Sequence, residues 1–131
     1  MQSSDDSKED VVAPLQYGTA RVLVYPSRDE LGAPAARHAA DLIHQAILAR
    51  GKARLVVATG NSQLNLIHAL VEIPGVEWSR VEVFHVDESV GMPLTHPSSF
   101  RLWIKLLIED KVHPAVVNYM ARQPQLCVDL R

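Results

Sequence analysis

What this sequence lacks narrows it first. It holds one cysteine, Cys127, so no disulfide can form within the chain and a reducing compartment is expected. It has no basic surplus: 13 Lys and Arg stand against 15 Asp and Glu, for a formal charge of −2. Binding a polyanion needs such a surplus, so nucleic acid is not expected as a partner. No apolar run approaches the ~20 residues that cross a bilayer. The acidic, polar start has no apolar segment of a secretory leader. A soluble, cytoplasmic protein without membrane contact is therefore expected. His38, His44, His68, His85, His96 and His113 include no His-x-x-x-His pair, and Cys-x-x-Cys is absent. Those are common metal-ligand spacings, so no metal is expected. There is no internal repeat.

What is present reads as a globular chain. Its 131 residues suit a single domain, and 47% of them are hydrophobic. The negative charge is concentrated at the start, where Asp5, Asp6, Glu9 and Asp10 outnumber Lys8. Such a stretch is too polar to offset its ordering entropy. Residues 1–18 are thus expected to be a disordered acidic tail and lead-in, with structure beginning near Thr19.

Beyond it, strands and helices alternate. Arg21–Tyr25 is apolar and β-branched, hence a strand. Ser27 and Glu30 form a capping-box pair. Leu31, Ala35, Ala39, Leu42 and Ala46, with Ile43 and Ile47 beside them, give a helix over about 28–50, and Gly51 suits its C-terminal cap. Pro34 falls in its early part. Arg54–Thr59 is a continuous apolar run, as in a strand covered on both faces of a parallel sheet. A helix follows at about 62–73 and a strand at 81–86. A loop spans 89–97, and a helix capped by Ser98 or Ser99 covers about 98–110. A weak strand is expected at 116–120. This order predicts an α/β fold: a Rossmann-like parallel sheet with flanking helices. Trp78 and Trp103 read as packing anchors. Arg101 and Lys105, one turn apart, read as solvent-facing, with a phosphate role as the alternative.

Ligands of open α/β sheets bind at the carboxyl ends of the strands. Two segments fall there. In Ala58-Thr-Gly-Asn-Ser-Gln63, Gly60 lets backbone approach a ligand, Thr59 and Ser62 offer hydroxyls, and a helix start favours an anion such as a phosphate. A plain turn with Ser62 as helix cap is an equal reading. No Gly-Lys-Ser/Thr follows, so it is not a P-loop, and one glycine does not make a dinucleotide fingerprint. In Phe84-His-Val-Asp-Glu-Ser-Val-Gly91, Asp87 and Glu88 end a strand and point to opposite faces. A carboxylate there, partly screened from water, is a candidate general base. His85 shares the face of Asp87 and either lines the pocket or packs in the strand. Glu88 orients the site or is a solvated loop residue.

Together these segments are more specific. Val-Ala-Thr-Gly-Asn-Ser-Gln (57–63), Phe-His-Val-Asp-Glu-Ser-Val-Gly-Met-Pro (84–93) and Thr-His-Pro-Ser-Ser-Phe (95–100) resemble the glucosamine-6-phosphate deaminase/isomerase family. That family belongs to a wider group containing the 6-phosphogluconolactonases. Ser89 stands where the family usually has Tyr. The resemblance covers about residues 20–120, so residues 19–120 read as the N-terminal half of such a domain and 121–131 as a divergent end. It implies conversion of glucosamine 6-phosphate and water to fructose 6-phosphate and ammonia, without a cofactor. Asp87 would move the proton between C2 and C1. Thr59, Gly60, Asn61 and Ser62 would form the phosphate loop, and His85 and Glu88 would bind the substrate with them. The family's second half carries ring-opening residues on a Gly-His-Ile-Ala-Phe-Asn-Glu type segment that this sequence does not contain. The chain alone is therefore expected to be inactive. The alternatives are a 6-phosphogluconolactonase-like hydrolase and a non-catalytic sugar-phosphate-binding module. Pairing into a homo-oligomer is left open.

Overall fold

A computed structural model describes residues 13–120; the acidic tail and the divergent end expected from the sequence lie outside the described residues. Structure begins earlier than Thr19. Strand β1 (Ala13–Tyr17) pairs antiparallel with β2 (Ala20–Val24). Gly18, at φ 59, takes the first of the two loop positions, where a tight hairpin needs positive φ. This overturns the expectation that the strand near 21–25 opens the parallel sheet. It belongs to a separate two-stranded hairpin instead.

Helix α1 (Arg28–Arg50) has the expected ends. Ser27 Oγ accepts the Glu30 amide (3.2 Å) and donates to the Glu30 carboxylate (2.7 Å). Gly51, at φ 75, donates its amide to the Ile47 carbonyl (2.7 Å). Pro34 is carried inside the helix, at the loss of one backbone bond. The buried stripe is the expected one only in part: Ile43 and Ile47 are buried as expected, and Ala39 and Ala46 pack against the core. It runs through Gly32, Ala36, Ala40, Ile43 and Ile47, while Leu31 and Leu42 are exposed. Alanines nearly encircle this helix, so periodicity alone does not choose the face. Close approach chooses it, because small residues let α2 (Leu64–Glu72) pack near the α1 backbone.

Strands β3 (Ala53–Val57), β4 (Val81–His85) and β5 (Val116–Asn118) form a parallel sheet with β4 in the middle. A short 3₁₀ turn (Asn61–Gln63) leads into α2. Helix α3 (Phe100–Ile104) continues through a π-turn (Lys105–Glu109) to Val112. The chain leaves it at His113, a left-handed residue. The fold is thus α/β, a parallel sheet with flanking helices.

The core lies on one side of that sheet. Ala53, Val57, Val81 and Val83 point into it and meet Ile43, Ile47, Ile67, Leu70, Ile104 and Ile108 from the helices. Trp78 is buried there, and Trp103 packs against it. Burying each large aliphatic side chain stabilises the fold by about 1.5–3 kcal/mol. The other face carries Arg54, Val56, Glu82 and Phe84, and Val56 is 62% exposed. The expected cover on both faces is therefore absent at β3 among the described residues. At the amino end of that face Glu82 accepts from Lys52 (2.9 Å) and Arg54 (3.1 Å), which hold its carboxyl below the usual range. No helix among the described residues is long and apolar enough to cross a membrane.

Candidate active site

The sheet register positions the two segments of interest. Val57 pairs with His85 at the ends of β3 and β4. Adjacent parallel strands run ~4.8 Å apart. Thr59 and Asp87 each lie two residues beyond that pair, so the loops leave side by side at the carboxyl end of the sheet.

On the β3 side, Gly60 is extended (φ −177), and its carbonyl accepts the Gln63 amide (3.0 Å). Ser62 lies inside the 3₁₀ turn. No side chain caps that turn or α2, so the reading of Ser62 as a helix cap is not realised. Asn61 and Ser62 are exposed. A Cβ added to Gly60 would meet nothing within 4 Å, so open space lies over this backbone. The Thr59 hydroxyl is buried without a hydrogen-bond partner among the described residues. Leaving such a group unpaired costs about 1–3 kcal/mol.

On the β4 side the two carboxylates diverge in the loop that follows His85. Asp87 is exposed rather than screened. Glu88 turns inward, with its side chain 7% exposed. It accepts from Ser89 N (3.0 Å), Phe100 N (3.2 Å), Arg101 N (3.0 Å), Ser99 Oγ (2.9 Å) and Arg101 Nε (3.3 Å). Phe100 and Arg101 open α3, where amides have no intrahelical partner. Ser99 Oγ takes the next amide, Leu102 N (3.3 Å). Burial raises the Glu88 carboxyl, but the donors led by the Arg101 amide outweigh it and bring it down to about 2. Glu88 is therefore a charged fastening between the β4 loop and α3. It is not a solvated loop residue.

Arg101 is the residue that sequence reasoning placed wrongly. Its side chain is 17% exposed, pairs with Glu88, and donates from Nη2 to the Met92 carbonyl (2.5 Å). No local pattern announces this, because the contact joins residues distant in sequence. Lys105 does face solvent, paired with Asp110. Between the 89–92 loop and the end of β5 opens a cleft of about 570 Å³, lined by Ser89, Val90, Met92, Arg101 and Met120 among others.

His85 is buried at 5% exposure. Its Nδ1 lies 2.8 Å from the Asp87 carbonyl, and its Nε2 accepts the Met120 amide (2.8 Å). The Tyr119 ring meets it edge-on at 6.1 Å, and Tyr119 donates to Glu109 (2.5 Å).

Comparison with known proteins shows the family. The family profile described as glucosamine-6-phosphate isomerases/6-phosphogluconolactonase matches residues 26–128. The chain belongs to that family. It is 34% identical over 100 residues to a glucosamine-6-phosphate deaminase of Arthrobacter sp. strain FB24, covering 74% of this chain and 37% of that one. The fold is similar to that of a 6-phosphogluconolactonase from Shewanella baltica OS155 (TM-score 0.69, 23% identity, 76% of this chain and 42% of that one). It is also similar to that of a monomeric glucosamine-6-phosphate deaminase (TM-score 0.59, 20% identity, 69% and 36%). The chain spans little more than a third of the length of the curated relatives it matches.

Proposed function

We propose that the carboxyl ends of β3 and β4 form a sugar-phosphate site of the deaminase/isomerase kind. The Thr59–Ser62 loop takes the phosphate, and Asp87 serves as the proton-transferring carboxylate. The observation that carries this reading is the pairing of Val57 with His85, which sets the two motif-bearing loops side by side. The buried, unpaired Thr59 hydroxyl and the open space over Gly60 support the loop's part in it.

In this reading Asp87 removes the C2 proton of ring-opened glucosamine 6-phosphate and returns it at C1, and water then replaces the amine as ammonia. A carboxylate at the end of a strand can serve as a general base, and a bound sugar would screen it from water. His85 and Glu88 act around Asp87 without touching the substrate. The resemblance assigns ring opening to residues with no counterpart here, so the 131-residue chain binds sugar phosphate without turnover.

The test is an assay of the purified chain for fructose 6-phosphate and ammonia. No product above background is expected. Product formation abolished in Asp87→Asn would show that the chain suffices for catalysis and overturn the inactive reading. Similarity to a lactonase fold favours a second reading, hydrolysis of 6-phosphogluconolactone. Lactone hydrolysis in the absence of deamination would select it.

A further inference from the structure

We infer that His85 is a positioning residue: a neutral imidazole, protonated at Nδ1, that ties the backbone of Asp87 to the end of β5. The inference rests on the reading of Asp87 as the proton-transferring group. The geometry allows one tautomer. The Asp87 carbonyl can only accept, so Nδ1 carries the proton across 2.8 Å. The Met120 amide can only donate, so Nε2 presents its lone pair across 2.8 Å. Both ring nitrogens are thus committed to main chain, and neither is left for a ligand.

The tie crosses a boundary that the sheet ladder does not. The pairing of β4 with β5 ends at Phe84 and Asn118, short of Asp87 and Met120. Beyond it the backbone has no ladder bonds to fix it, and there the candidate base emerges. His85 replaces the missing rung. Its ring is held in turn by the edge of Tyr119, which donates to Glu109 in the π-turn. The Asp87 backbone is thereby referred to β5 and to the α3 segment rather than floating in a loop. Met120 also lines the cleft beside the 89–92 loop, so the same tie joins that cleft to the base.

Two conservative variants separate positioning from packing. In His85→Asn the amide nitrogen takes the place of Nδ1 and can still donate to the Asp87 carbonyl. In His85→Gln the amide oxygen takes the place of Nε2 and can still accept from Met120. Each keeps one bond and loses the other, so a merely structural role lowers both alike. The binding arm measures glucosamine 6-phosphate affinity by calorimetry. His85→Asn is expected to bind within about threefold of wild type, and His85→Gln and His85→Ala to bind about three- to tenfold more weakly, the worth of one hydrogen bond. The second arm reads amide exchange at Ser89, whose N–H closes the loop on Glu88. Protection is expected to survive in His85→Asn and to fall in His85→Gln. Equal behaviour of the Asn and Gln variants in both arms overturns the positioning role. If wild type binds no sugar phosphate, the proposed site fails; the exchange arm then decides on His85 alone, a split supporting the tie and no split removing it.

Discussion

Arg101 reaches one oxygen of Glu88 twice, through its backbone amide at 3.0 Å and its guanidinium Nε at 3.3 Å. With Ser99 and Phe100 it gives the buried carboxylate the start of α3 as its counter-charge. The loop bearing Asp87 is thereby fixed to a helix as well as to its own strand.

Removing that carboxylate should be costly. Glu88→Ala leaves the Phe100 and Arg101 amides and the Arg101 guanidinium without their acceptor. The expected loss is about 2–4 kcal/mol in urea unfolding, with Glu88→Gln intermediate because it keeps one acceptor.

The same group sets an acid limit. Its folded carboxyl lies near 2, below the usual value of 4.5 for an unpaired one. The unfolded chain therefore binds the proton first as pH falls. Glu88 contributes its full stabilisation above about 4.5 and loses it progressively down to about 2. Wild-type stability should fall more steeply than that of Glu88→Gln across this window.

Tyr119 behaves in the opposite sense. Burial, and then the Glu109 carboxylate beside it, push its hydroxyl above the usual value of 10.0. Above about pH 10 the unfolded tyrosine ionises while the folded one stays neutral, so stability is lost as pH rises. Chemical unfolding at pH 9 and pH 11 should show a larger drop for wild type than for Tyr119→Phe.

Gly32 and Gly60 make a contrasting pair. An alanine Cβ at Gly32 would lie 2.9 Å from Asn65 Cβ and 3.0 Å from its backbone, which cannot swing away. Helix propensity favours alanine by about 1 kcal/mol. Overpacking against main chain costs about 1–3 kcal/mol, so Gly32→Ala should lower the melting temperature. Gly60→Ala meets open space with an allowed φ and should leave the melting temperature unchanged. It should nonetheless weaken sugar-phosphate binding, because the added methyl occupies the space over the loop.

Much of this was legible in the sequence, for identifiable reasons. Strands β3 and β4 announce themselves because short runs rich in valine, bounded by Gly and Pro signals, have few other fates. Thr59 and Asp87 follow from those strands, since the sites of parallel sheets lie at strand ends. The β1–β2 hairpin is hidden because Pro14, which cannot donate to a ladder, argues against a strand in its first arm. The buried face of α1 is hidden by its alanines. Glu88 and Arg101 are hidden because their partnership is tertiary, and a charged pair in a loop and an exposed pair on a helix look alike in sequence. Only the docking of α3 against the β4 loop distinguishes them.

The most direct test of the sugar-phosphate site is calorimetric titration of the intact chain with glucosamine 6-phosphate and, in parallel, with glucosamine. The site described here predicts binding of the phosphorylated sugar alone, weakened about tenfold in Thr59→Val, which loses one hydrogen bond to a charged group. Equal binding of both sugars, or binding untouched by Thr59→Val, would contradict it.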